Sequence, residues 1–199
     1  MFFEHHPITA GQANALELGT NILVSGPAGT GKTYLAMLYA RKYKQEAPGC
    51  KVMIIVFTNA LKKFISEALK SWGLEDVKVS NSTEWKHSLL FRDADIDYCI
   101  VDEVQDMVLS ELELIRLHSR MGLVFLGDEN QSIYFFKDRM GIGSFDNIVS
   151  KFGLCHVRLN EVVRYNEGLS SFLNDIILVD DVLIRNGGNK PEIKCFETN

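Results

Sequence analysis

GPAGTGKT occupies residues 26–33, directly behind the apolar run NILVS at residues 21–25 and directly ahead of a helical pattern carrying Leu35, Leu38 and Tyr39. Glycines at this spacing let successive backbone N–H groups turn inward around phosphate oxygens, and a helix that starts at once adds the positive end of its dipole. Gly26, Pro27, Ala28, Gly29, Thr30 and Gly31 form the cradle, Lys32 reaches for the β- and γ-phosphates, and Thr33 offers its hydroxyl to Mg²⁺. The competing reading is a glycine-rich turn that contains Lys and Thr by chance. A strand before it and a helix after it are the context that a phosphate-binding loop needs, and both are present. ATP with Mg²⁺ is the expected ligand.

Working outward, β-branched apolar runs recur at residues 51–57, 98–101, 122–126 and 155–159, each bounded by polar or turn residues, and are expected to be buried strands. Between them Leu61, Phe64, Ile65, Ala68, Leu69 and Trp72 recur at steps of three and four, as do Leu169, Phe172, Leu173, Ile176 and Ile177. Ser110 with Glu113 three residues later fits a capping box opening a further helix. This alternation predicts an α/β fold, a mostly parallel sheet with helices on both faces. Ligands of such sheets bind at the carboxyl ends of the strands. The run 98–101 ends there in Asp102 and Glu103, which gives Asp102 as a metal-orienting carboxylate and Glu103 as the general base for water. Taken alone, an Asp-Glu pair is more often two solvated loop acids; behind an apolar strand in a chain with a phosphate cradle, the catalytic reading is preferred.

With 199 residues, 46% of them hydrophobic, the chain has enough material for one full core but not for two ordinary domains. Its net charge of −5 gives no overall attraction to nucleic acid, so any such contact must rest on a local patch and on stacking. Cys50, Cys99, Cys155 and Cys195 lie far apart, without the close pairs of zinc or redox motifs, and the five histidines show no metal-ligand spacing. No apolar run approaches the roughly 20 residues that span a bilayer, so a cytoplasmic protein without membrane association is expected.

Several strings, in order, resemble the superfamily 1 DNA helicases of the UvrD and Rep type. IVDEVQDM at residues 100–107 resembles their motif II, and LVFLGDENQSIYFF at residues 123–136 resembles motif III, the most family-specific string in the chain. Thr9 and Gln12 resemble the Q motif, whose glutamine reads the adenine edge; VFTNALKKFI at residues 56–65 resembles motif Ia. RLNEVVRYNEGLSSFLNDII at residues 158–177 resembles motif IV, with Arg164 in the place of the arginine that reaches the γ-phosphate. The resemblance implies a RecA-like P-loop NTPase domain over residues 1–180, with residues 181–199 a tail or the start of a second RecA-like domain. It implies Lys32, Glu103, Gln131 and Arg164 as catalytic residues. It also implies a single-stranded DNA surface of Thr58, Asn59, Thr83, Trp85, Tyr134 and Phe136.

The departures are specific. Where the family has Asn-Tyr before the motif IV arginine, this chain has Val162 and Val163, so Tyr34 is the substitute for stacking adenine. Phe135, Phe136 and Lys137 stand where the family has Gly, an aromatic and Arg. About 40 residues separate motif Ia from motif II, too few for the large inserted domain of typical members. The expected function is an ATP-hydrolysing motor domain acting on single-stranded DNA, weak alone because its partner, a second RecA-like domain or subunit, is needed for translocation. The alternative is a nucleotide-dependent switch or protein-binding module of the same fold. A P-loop kinase is disfavoured, since Asp102, Glu103 and Gln131 suit attack by water. Lys62, Lys63 and Lys70 could meet phosphates, although a solvated helix face is as good a reading.

Overall fold

The computed structural model describes residues 8–81, 83–86, 96–131 and 144–163, together with the backbone of residues 183–184. In chain order the elements are α1 (Ala10–Leu18), β1 (Ile22–Ser25), α2 (Lys32–Glu46), β2 (Val52–Val56), α3 (Asn59–Ser71), β3 (Lys78–Asn81) and β4 (Ile96–Val101). They continue with α4 (Leu109–His118), β5 (Ser119–Gly127), α5 (Phe145–Phe152), β6 (Cys155–Arg158), β7 (Glu161–Val162) and β8 (Leu183–Ile184). Among the described residues, six strands form one sheet in the order β3-β2-β4-β5-β1-β6. Every ladder in it is parallel.

Parallel strands must be buried on both faces, and the side-chain alternation along β2 shows how. Val52, Ile54 and Val56 join the core under α2 and α3, where Leu35, Tyr39, Tyr43, Ile65 and Leu69 also lie. Met53 and Ile55 point the other way, into the core shared with Leu112 and Ile115 of α4 and Ile148 of α5. The α/β architecture with helices on both faces is therefore the observed one.

Several boundaries move. The strand expected at residues 98–101 starts at Ile96, and the one expected at 122–126 starts at Ser119, because Ile96 and Ser119 extend the pairing past an irregularity at Ile96/Tyr98. Arg120 caps that extension with an ion pair to Asp97 at 3.2 Å. The capping box expected at Ser110 and Glu113 is a correction: α4 begins at Leu109, and Glu111 accepts the Val108 N–H at 3.1 Å. Glu113 instead forms an ion pair with Lys151 of α5. α1, β3 and α5 are elements beyond those expected from the sequence pattern. The helical pattern at residues 169–177 lies outside the described residues. Among the described residues, no helix is long and apolar enough to cross a membrane.

Candidate active site

β1 delivers the chain to the carboxyl edge between β5 and β6, and the loop that follows is held from both sides. The Gly26 N–H donates to the Gly127 carbonyl at 3.2 Å, and the Leu159 N–H to the Ser25 carbonyl at 2.7 Å. A Cβ at Gly26 would lie 2.8 Å from the Leu159 carbonyl oxygen. Gly31 has φ 79° and a Cβ there would lie 2.6 Å from Gln12 Nε2, so this position needs glycine on two counts. Thr30 is fully buried and its hydroxyl donates to the Pro27 carbonyl at 2.9 Å.

α2 starts at Lys32, whose side chain folds back over the loop and donates to the carbonyls of Gly26 at 2.7 Å and Pro27 at 3.1 Å. Thr33 Oγ1 donates to Asp102 Oδ2 at 2.7 Å. Asp102, at the end of β4, is almost fully buried. Burial, and next the Glu103 charge, push its carboxyl up to about 6, against the pull of the Thr33 hydroxyl, Lys32 and the Glu103 N–H. A buried carboxylate beside a threonine hydroxyl supplies two hard oxygen donors, and Lys32 offsets its burial only in part, which fits Mg²⁺ completed by phosphate oxygens and water.

Glu103 follows at φ 56° and ψ 47°, and its Oε2 accepts from Gln105 Nε2 at 2.8 Å. Gln131 closes the turn after β5, donating through Nε2 to Asp128 Oδ2 at 2.7 Å. These groups border a cavity of about 270 Å³, with Ala28, Gly29, Gly31, Lys32, Thr33, Glu103 and Gln131 along its polar side. Tyr34, Met37, Leu61 and Phe64 form its apolar side. Tyr34 meets Trp72 edge-on at 6.2 Å between ring centroids.

Gln12 has a different task from the one expected. Its Oε1 accepts the Thr9 N–H at 3.0 Å while its own backbone N–H donates to the Thr9 hydroxyl at 3.1 Å, a capping box for α1. Its Nε2 donates to the Thr30 carbonyl at 2.9 Å, and the side chain is 2% exposed. The amide thus clamps α1 to the loop, leaving no exposed edge for adenine. Arg164, Tyr134 and Phe136 lie outside the described residues. Val163, next to Arg164, donates its N–H to the Gly29 carbonyl at 2.9 Å.

At the carboxyl ends of β2 and β3 the structure brings Thr58, Asn59 and Thr83 together, all exposed. Thr58 caps α3 by accepting the Leu61 N–H at 3.2 Å. Asn81 Nδ2 donates to Asn59 Oδ1 at 2.6 Å, while Asn81 Oδ1 accepts the N–H groups of Thr83 and Glu84 at 3.0 and 2.8 Å. Trp85 is a correction: it is fully buried in the core under α4, so its ring offers no face to a nucleobase. It packs there in one cluster with Met53, Ile55, Ile96, Cys99 and Leu112. Lys62 is ion-paired with Glu84 at 2.6 Å, and Lys63 with Glu67 at 4.0 Å. The Lys62 hydrogen bond in turn holds the Glu84 carboxyl below its ordinary value.

Sequence reasoning assigned no role to Gln105 and Asp128, both buried and both bonded into this site. Their signal was available in the strings DEVQD and GDENQ, but only the fold shows that the two touch.

A family model described as AAA domain matches residues 12–137. The chain belongs to this AAA domain family. The matched span carries the phosphate loop, Asp102, Glu103 and Gln131, so the fold is that of an α/β P-loop NTPase domain. Among solved structures, this AAA domain resembles the Pif1 helicase from Candida albicans, with a TM-score of 0.59 and 16% identity over 85% of this chain and 43% of that one. It also resembles the UvsW helicase from bacteriophage T4, with a TM-score of 0.56 and 14% identity over 77% of this chain and 61% of that one. The Hef helicase domain of Pyrococcus furiosus gives a TM-score of 0.55 and 18% identity over 77% of this chain and 38% of that one. At these identities the likeness concerns the fold, and the chain spans less than two thirds of each of these structures. No curated protein matches the sequence.

Proposed function

We propose that this chain is the ATP-binding motor domain of a superfamily 1 helicase of the UvrD and Rep type, hydrolysing ATP with Mg²⁺ and acting on single-stranded DNA. The observation that carries the reading is the convergence of Lys32, Thr33, Glu103 and Gln131 on one cavity, with Asp102 bonded behind Thr33. Lys32 exchanges the carbonyls of Gly26 and Pro27 for the β- and γ-phosphates. Thr33 and Asp102 hold Mg²⁺, which when bound neutralises phosphate charge. Glu103 takes a proton from water as the water oxygen bonds to the γ-phosphorus, and the bond to the bridging oxygen breaks to release ADP. Gln131 orients that water, Tyr34 stacks the base and Arg164 adds charge beside the γ-phosphate.

Residues 1–180 form the motor domain in this reading, and residues 181–199 a tail or the beginning of a second RecA-like domain. An arginine finger supplies on the order of 10³ to 10⁵ in rate, so turnover by this chain alone is expected to be slow. A protein acting on DNA in this way belongs in the cytoplasm. The ion pair that engages Lys62 and the burial of Trp85 favour a second reading, a nucleotide-dependent switch that binds another protein.

The deciding experiment titrates a fluorescent ATP analogue with Mg²⁺ into the parent chain and Lys32→Ala, then measures turnover with and without oligo(dT). Lys32→Ala is expected to lose most affinity while its melting temperature stays near the parent's. Loss of affinity only in step with loss of stability would overturn the cradle assignment. Turnover indifferent to oligo(dT), also in the presence of a second motor domain, would move the conclusion to the switch.

A further inference from the structure

Glu103 sits in the left-handed region at φ 56° and ψ 47°, which a residue with a side chain adopts only when its surroundings impose it. The surroundings include one amide. Gln105 is 5% exposed; its Nε2 donates to Glu103 Oε2 at 2.8 Å and its Oε1 accepts the Asp128 N–H at 3.1 Å. Asp128 is also buried, and its carboxylate accepts from Gln131 Nε2 at 2.7 Å and from the Asn130 N–H at 3.0 Å. The end of β4 and the turn after β5 are thus joined through a single side chain.

Gly127 makes that junction possible. A Cβ at this position would lie 2.5 Å from Gln105 Oε1, 2.8 Å from Val104 Cγ1 and 2.9 Å from Phe145 Cζ. The glycine ahead of Asp128 is therefore required by the amide opposite it and not by its own backbone, since its φ is not positive.

We infer that Gln105 is a positioning residue for hydrolysis, which aims the Glu103 carboxylate and ties it to the turn that carries Gln131. This rests on Glu103 being the base. With Oε2 held by the amide, Oε1 is the oxygen that takes the proton of the attacking water. The same amide makes the orientation of the base depend on the turn.

The test uses the full chain. Gln105→Met keeps the volume and removes donor and acceptor; Gln105→Glu keeps an acceptor for the Asp128 N–H and sets a second carboxylate against Glu103. Both are expected to lower kcat about tenfold or more, a part of the roughly 10² to 10⁴ that a positioned base contributes, with KM and nucleotide affinity near the parent's. Gly127→Ala should displace the same carbonyl, and its kcat loss should not add to that of Gln105→Met. Equal losses in kcat, nucleotide affinity and thermal stability would show a structural role only and overturn the inference. A parent that turns over beside an equally fast, folded Gln105→Met would overturn it alone, whereas a parent with no turnover would remove the base assignment with it. If Gln105→Met fails to fold, Gln105→Glu decides by the same criteria.

Discussion

Lys32 opens α2 and Lys62 lies in the first turn of α3, both beside the carboxyl edge of the sheet, yet they are held differently. Lys32 is 8% exposed, with its ammonium over the carbonyls of its own loop, partners that a phosphate can replace. Lys62 is half-exposed and its ammonium meets the Glu84 carboxylate, a charge that a phosphate must displace. The same contrast holds around them. At the loop, glycines, buried hydroxyls and backbone carbonyls fix every group. At the ends of β2 and β3, Asn59, Asn81 and Thr83 hold one another at the surface. A site held by backbone is set before its ligand arrives, and a site held by exposed side chains can be remade by one.

The sharpest way to break this comparison is Glu103→Gln. If the loop side is a preset catalytic site, the amide keeps the shape and loses the base, and turnover should fall on the order of 10² to 10⁴ while ATP affinity is retained. Single-turnover hydrolysis at saturating ATP reads this; unchanged turnover would remove Glu103 from the chemistry.

Trp85→Ala comes next in size. A fully buried tryptophan cut to alanine should cost about 3–5 kcal/mol of stability, measured by denaturant unfolding. Trp85→Phe, which keeps most of the volume, should leave affinity for a labelled oligonucleotide unchanged. A folded Trp85→Phe that binds DNA more weakly would return this residue to the DNA surface.

Asp102 gives a pH test. Its carboxyl, raised from an ordinary 3.8 to about 6, is neutral in both folded and unfolded chain at lower pH. As pH rises, the unfolded chain loses the proton first, so stability declines through this window and stays lower above it. Asp102→Asn, melted in EDTA between about pH 3 and pH 8, should therefore be more stable than the parent at the upper end and equal at the lower. A variant less stable than the parent at neutral pH would show that Lys32 and Thr33 outweigh the burial.

The smallest effect sharpens the other side. Glu84→Gln should free Lys62 and steepen the salt dependence of oligonucleotide binding by about one phosphate contact. An unchanged slope would mean that Lys62 does not face the strand.

The sequence determined the phosphate loop because its demands are local. Gly31 at positive φ, Lys32 opening α2 and Thr33 one residue on need only a strand before them and a helix after them, and all of these follow from period and spacing. The order of the acidic end of β4 relative to the loop was legible for the same reason, since a parallel sheet puts all strand ends on one edge. What residues separated by tens of positions do to one another was not legible. Trp85 stands two residues after the exposed Thr83 and reads as a surface aromatic until it is seen packed with Leu112 and Ile115 of α4. Gln12 reads as a free amide until α1 and Thr30 occupy both its ends. Gln105 and Gly127 read as neighbours of more important residues until the 2.5 Å approach shows that each constrains the other. Hydrogen-bond capacity and volume are saturated by partners, and only the tertiary structure says which partners arrive.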